Sequence, residues 1–520
     1  MSQGLSPPDP RDRREGIRFL LDLDARLEVL DRAILVADWD LQSGRSRRGS
    51  GPWQLKRRAL LSADGLLPWT RTALGQGWPG PFHRRLELLE RVLLDTQVEQ
   101  HPAVVKLRSE MEGPVVSFRP RWKGRSVNRA VLGRVLREDP VPAHRRQAYY
   151  ALEPLHTALE SSLSTLLELR NERARALGYA SFPAMRLGFS GISPARLEAL
   201  GAETIRGAKA LLRARVRSLR SAAGGDGWFP WDVRYAEGRG APLPRRRFPS
   251  SGMFPRVLRA VRQWGFRLGP RPFKVVFHDL PAGGLTLAPD PPRDVRILVH
   301  PTGGWTAYMV LFHEVGHAVH SAGIRAPRHL LRWHENVPEF GGFHEGIGSL
   351  FEEIASTRTW LTRDMGVPAP EAAAFVAQHR ARELWGTGSL VNWIALEQAL
   401  YRHPGRDPMP AFQRQERSLF GYDEYPPLSF VDPFWIDTPV YGPNYLFAKL
   451  FHHQLARLLR QRFGEPLWPN RRVGPYLARE WFAPGSRFDW IPRLEALTGE
   501  RFGADAFRAA VVIRSGGAAA

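Results

Sequence analysis

The stretch Trp305-Thr306-Ala307-Tyr308-Met309-Val310-Leu311-Phe312-His313-Glu314-Val315-Gly316-His317-Ala318-Val319-His320 decides how this chain is read. It runs into the pentapeptide His313 to His317 without glycine or proline, and its apolar content predicts a buried helix with a dry surface beside it. On a helix of about 3.6 residues per turn, His313 and His317 stand one turn apart and project from one face. Two neutral imidazoles so placed can take two positions of a zinc tetrahedron, while Glu314, rotated by about 100°, can reach a water at the open position. The competing reading is a chance match on a buried helix with two core histidines.

Such a site needs a third protein ligand. Glu335, Glu339, Glu345, Glu352 and Glu353 are the candidates downstream. Gly341-Gly342-Phe343-His344-Glu345-Gly346-Ile347-Gly348-Ser349-Leu350-Phe351-Glu352-Glu353-Ile354-Ala355-Ser356 reads as a turn opening an amphipathic helix. Glu345 lies near its start and Glu352 two turns later on the same face, so Glu345 is chosen as ligand and Glu352 as the acceptor that orients a ligand imidazole. Glu335 and Glu339 read as loop residues and Glu353 as a surface position of the helix.

These residues resemble two related groups of helical zinc peptidases. His313-Glu314-Val315-Gly316-His317-Ala318-Val319-His320 is similar to the HExGHxxH signature of the thimet oligopeptidase and oligoendopeptidase F family. Gly342-Phe343-His344-Glu345-Gly346-Ile347-Gly348 is similar to the GFHEAIG stretch of the angiotensin-converting enzyme family, and both likenesses select Glu345. Pro230-Trp231-Asp232-Val233-Arg234-Tyr235-Ala236-Glu237, Phe248-Pro249 with Val257-Leu258, Arg170-Asn171-Glu172, Leu177-Gly178-Tyr179 with Phe182, and Gly485-Ser486-Arg487-Phe488-Asp489-Trp490 with Thr498-Gly499 extend the oligopeptidase resemblance from about Ser161 to Phe507.

The resemblance implies a mainly α fold: two helical lobes around a deep substrate channel, with a small β-sheet beside the HExxH helix. It also implies one zinc ion per chain held by His313, His317 and Glu345, with Glu314 as general base. Tyr445, and with it Tyr441, stand where both families carry the tyrosines that stabilise the developing oxyanion. His320, on the ligand face of its helix, is expected to pack or to support the ligands, and His452 and His453 to be structural. There are departures. Arg325 to Phe343 carries an insertion, Ser349 stands where the converting-enzyme group has an aspartate, and Trp435 or Ile436 stands where a substrate-binding histidine is expected.

Asp294-Val295-Arg296-Ile297-Leu298-Val299-His300 has the alternation of an edge strand, and a strand here in the resembling families pairs with the substrate backbone. Amphipathic runs over Arg18 to Val36, Ala143 to Ala176, Ser193 to Arg220, Glu371 to Trp385 and Tyr445 to Phe463 predict helices. The Gly/Pro/Arg-rich Ala222 to Gly252 interrupts them and is expected to join the lobes. The 520 residues are therefore expected to form one peptidase unit, with residues 1–240 mostly an N-terminal helical lobe and 250–520 the zinc-binding lobe.

The formal charge of +22 raises nucleic acid as a partner, but the basic residues are mostly arginine and are scattered over every helix rather than gathered on one. Oligopeptide substrates, no specific nucleic acid and no membrane are the expected partners. With no cysteine, disulfides and thiol catalysis are excluded. The start Met1-Ser2-Gln3-Gly4-Leu5-Ser6-Pro7-Pro8-Asp9-Pro10 has no apolar signal core, so a cytoplasmic location is expected, and Ser515 to Ala520 reads as a frayed end. The function expected is zinc-dependent hydrolysis of oligopeptides. The alternatives are a peptidyl-dipeptidase or carboxypeptidase of the same chemistry and, in another class, a noncatalytic zinc-containing peptide-binding scaffold.

Overall fold

The structure, a computed structural model, describes residues 6–239, 243–278, 280, 283–327, 329–332 and 341–513 and is mainly helical. Glu335, Glu339 and the two ends Met1 to Leu5 and Ser515 to Ala520 lie outside the described residues. The run read as Arg18 to Val36 is a longer helix, Arg13–Gln42, whose first amides are capped by the Asp12 carboxylate. Leu20, Leu23, Leu27, Leu35 and Trp39 form its buried stripe. Two expected helices are split. Ala143 to Ala176 divides into Pro142–Tyr150 and Glu153–Ala176, with Pro154 at the start of the second, and Ser193 to Arg220 divides at Gly207, which has φ +78°. Glu371 to Trp385 grows to Ala369–Arg402, and Tyr445 to Phe463 to Gly442–Phe463. Among the described residues no helix is long and apolar enough to cross a membrane.

The chain forms two compact units, and each draws on three separated segments. The first takes residues 1–100, 244–367 and 447–502, the second 101–243, 368–446 and 503–520. The boundary at Leu243 and Pro244 does fall in the interruption Ala222 to Gly252. In the first unit, early helices pack on late ones through charge. Arg84 donates to the Ser486 carbonyl at 2.9 Å and to the Asp489 carboxylate at 2.8 Å, and Arg91 reaches the same carboxylate at 2.9 Å. Local periodicity carries no signal for such a return.

The first unit also holds a three-stranded sheet in the order Lys274–Phe277, Asp294–Val299, Gly284–Asp290. Asp294–Val299, expected at an edge, is therefore the central strand, parallel to Lys274–Phe277 and antiparallel to Gly284–Asp290. Alternation shows which residues share a face but not whether a strand has one neighbour or two. Leu285 pairs with Leu298 and Thr286 with Ile297. Leu285, Leu287 and Leu298 face Leu35 and Trp39 of the first helix, whereas Thr286 meets the HExxH helix, so the sheet is covered on both faces.

In the second unit the family-like motifs hold backbone. The guanidinium of Arg145, fully buried, donates to the Asp232 carboxylate at 3.0 and 2.6 Å and to the carbonyls of Asp139, Pro140 and Ala223, fixing the Pro230-Trp231-Asp232 turn. Arg170 donates to the carbonyls of Trp435 and Ile436 at 2.8 and 2.7 Å, and Asn171 to that of Tyr401 at 2.8 Å. Trp435 and Ile436 are buried, which gives their side chains a packing role where the families carry a histidine. The Glu397 carboxylate accepts from the Val440 amide at 2.6 Å, next to Tyr441.

Candidate active site

The HExxH helix is Trp305–Gly323. Its start is anchored by the Phe248-Pro249 motif: the Gly304 amide donates to the Phe248 carbonyl at 2.8 Å and the Tyr308 hydroxyl to that of Pro249 at 3.0 Å. The second helix of the site, Gly341–Ala355, crosses it where glycines meet. A Cβ at Gly316 would lie 3.2 Å from the Gly348 Cα, and a Cβ at Gly348 would lie 2.5 to 2.8 Å from three atoms of the His313 ring. The approach is tight at Gly316 and leaves no room for a side chain at Gly348, which sets His313 against the second helix.

Side chains converge at this crossing. The Nε2 atoms of His313 and His317 are 2.8 Å apart, and the Glu345 carboxylate lies 3.4 Å from Nε2 of His313. One donor atom from each of the three residues lies within 4.8 Å of the others, a spread that an ion with bonds of about 2 Å can bridge. The donor set, two imidazoles and a carboxylate, suits zinc. On its other side His313 presents Nδ1 to the Glu352 carboxylate at 2.8 Å. A proton held there leaves the Nε2 lone pair for a metal.

Electrostatics agree with this geometry. Burial pulls the His313 pKa down, but the carboxylates of Glu345 and Glu352 outweigh it and leave it well above its ordinary value, so the pocket favours positive charge. Burial, helped by His344 and His313, takes His317 well below its ordinary value, which keeps it neutral with a free lone pair. Glu314, 7% exposed, is pushed by burial up to about 7, against the pull of the His313 charge and the Thr286 hydroxyl. A carboxylate poised there can both accept and release a proton near neutral pH.

His320 is buried within an aromatic cluster, with Phe343 at 5.2 Å, Phe482 at 5.3 Å and His344 at 5.8 Å between ring centres. His344, which drew no reading from the sequence, stacks on His317 at 3.8 Å with rings 12° apart, and burial holds its pKa down at about 4. Thr286, also unread, donates to Glu314. Neither has a spacing signal: the first is one of two adjacent residues at a helix start, and the second comes from a distant strand.

Tyr441 and Tyr445 belong to the second unit. Their rings meet edge to face at 5.2 Å, Phe434 packs against both, and Tyr445 is 36% exposed. Glu353 is half-buried rather than a plain surface residue. Its carboxylate accepts from Nε2 of His452 at 3.0 Å and pairs with Arg460. Burial alone would raise its pKa, but the His452 hydrogen bond and the Arg460 charge hold it at about 2. Because the folded value lies below the unfolded one of 4.5, this group's stabilisation is present above pH about 4.5 and lost as pH falls towards 2. Urea unfolding midpoints should therefore fall with acid in this window, and Glu353→Gln should flatten that limb; equal slopes in the two proteins would refute the assignment.

No protein-family model matches the chain, and no curated protein matches it in sequence. Solved structures do match in fold. The M32 carboxypeptidase from Deinococcus radiodurans R1 superposes with a TM-score of 0.66 at 16% identity, covering 96% of this chain and 99% of that one. The Pyrococcus furiosus carboxypeptidase and the Trypanosoma cruzi metallocarboxypeptidase 1 each give 0.66 and 16%, with 96% of this chain and 98% of theirs covered. The chain thus has the mainly α fold of these carboxypeptidases along nearly its whole length.

Proposed function

We propose that the chain is a zinc-dependent peptidase that removes residues from the C-terminal ends of peptides. The convergence of His313, His317 and Glu345 beside the buried carboxylate of Glu314 carries the reading. The carboxypeptidases that share the fold favour C-terminal removal, while the sequence likeness to thimet oligopeptidase and oligoendopeptidase F supports internal cleavage of oligopeptides as the second reading.

When bound by His313, His317 and Glu345, zinc supplies Lewis acidity toward water and the scissile carbonyl. Glu314 takes a proton from the attacking water at its carboxylate and passes it to the leaving nitrogen. Glu352 holds the His313 ring through Nδ1. The sequence likeness supports Tyr445, with Tyr441 packed on its edge, as the residue that stabilises the developing oxyanion. Tyr445→Phe is expected to lower kcat by about a hundredfold with zinc content and KM little changed; an unaltered kcat would remove the tyrosine from the reaction.

The test of the function is a pair of matched peptide pools, one with free C-termini and one amidated, incubated with zinc-loaded protein and read by mass spectrometry. Stepwise loss of C-terminal residues from the free pool alone establishes carboxypeptidase action. Internal cuts in both pools establish the second reading. Intact peptides in both, at full zinc occupancy, overturn the peptidase assignment.

A further inference from the structure

Every hydrolytic role given to Glu314 requires that its carboxylate keep one orientation, yet nothing on its own helix supplies this. The strand Gly284–Asp290 does. Gly284 and Thr286 are two apart on that strand and so point to one face, the face covered by the HExxH helix. The Thr286 hydroxyl lies 2.6 Å from Oε2 of Glu314 and 2.9 Å from its backbone carbonyl, the shorter distance being that of a charge-assisted hydrogen bond. At Gly284 the missing side chain is what makes room. A Cβ there would lie 2.7 Å from Cγ of Glu314 and 3.0 Å from Oε1.

We propose that Thr286 is a positioning residue for the general base: its hydroxyl holds Oε2 of Glu314, the gap at Gly284 leaves room beside Oε1, and Oε1 is the oxygen that exchanges the proton. The inference rests on the peptidase reading for its consequence in catalysis, but the contact itself belongs to the folded chain. Thr286 is buried, 6% exposed, where the strand meets the helix. Valine at this place keeps the branched shape of threonine and removes the donor. Serine keeps the donor and removes a methyl group.

The test compares intact protein, Thr286→Val, Thr286→Ser and Gly284→Ala, all zinc-loaded. Thr286→Val is expected to lower kcat by about 10- to 100-fold with KM within about twofold and zinc content unchanged, because a freely rotating base is productively aligned for only part of the time. Thr286→Ser is expected to restore kcat to within about threefold, which a purely steric role of the threonine would not allow. Gly284→Ala is expected to lower kcat at unchanged zinc content. Valine at full kcat, or serine as slow as valine, overturns the proposal.

A second measurement separates this inference from the peptidase reading. Urea unfolding midpoints of metal-free Thr286→Val, Glu314→Leu and the double variant report whether the two side chains act together. If the intact protein cuts no peptide, the peptidase reading fails, and a double variant whose midpoint shift is smaller than the sum of the single shifts still upholds the contact. Additive shifts overturn it.

Discussion

Glu314→Gln should abolish peptide cleavage almost completely, lowering kcat/KM by about 10³- to 10⁴-fold, while zinc binding and folding persist. Glutamine has the shape of glutamate, and its side-chain oxygen can still accept from the Thr286 hydroxyl at the place where Oε2 now lies. What it cannot do is take a proton. The substitution also removes a carboxylate whose ionisation is opposed by burial, so thermal stability should be equal or higher. The measurement is turnover of a free-C-terminus peptide at matched zinc content, with a melting curve for each protein. Loss of activity below about tenfold would remove Glu314 from the proton transfers, and loss of zinc in parallel would make it a supporting residue of the ligand set.

Gly348→Ala should weaken zinc binding by about a hundredfold or more and cost about 1–3 kcal/mol of stability. The added methyl group would stand 2.5 to 2.8 Å from the His313 ring, on the helix that also supplies Glu345 and Glu352. The ring cannot retreat without losing Nδ1 from Glu352 or Nε2 from the point it shares with His317 and Glu345. Gly386→Ala serves as the control. Gly386 is exposed within Ala369–Arg402 with nothing within 4 Å of an added Cβ, so alanine there should be neutral or stabilising by up to about 1 kcal/mol. Zinc affinity measured by competition with a chromophoric chelator decides the matter: an alanine variant at 348 with affinity within threefold of the parent would mean that the helices separate at little cost.

Gly348 also shows where a sequence stops being informative. The pentapeptide His313 to His317 was readable because a helix turns three- and four-residue spacings into shared faces, and Glu345 and Glu352 were readable as residues seven apart on one amphipathic helix. In the structure one donor atom from each of His313, His317 and Glu345 lies within 4.8 Å of the others, and Glu352 lies 2.8 Å from Nδ1 of His313. Gly348, by contrast, matters because of a ring that comes from another helix, and its own neighbours in sequence give no hint of that ring. Thr286 and His344 are the same case. Each touches the site through the packing of one element on another, and no spacing within its own strand or helix records the contact.

Local composition by itself determined that the chain is mainly helical, that Trp305 to His320 is a buried helix able to present two imidazoles and a carboxylate, and that a glutamate-bearing helix follows it. Periodic burial and helix geometry act over a few residues, so those few residues suffice. Tertiary structure alone decided that Asp294–Val299 is the central strand and that both compact units are built from separated segments. It also decided that Glu353 belongs to an ion pair with Arg460 and His452, and that the orientation of Glu314 is held by a threonine on the adjoining sheet. These outcomes depend on which surfaces meet, and that choice is made by packing and hydrogen bonding between parts of the chain far apart in sequence, where the pattern of any one segment is silent.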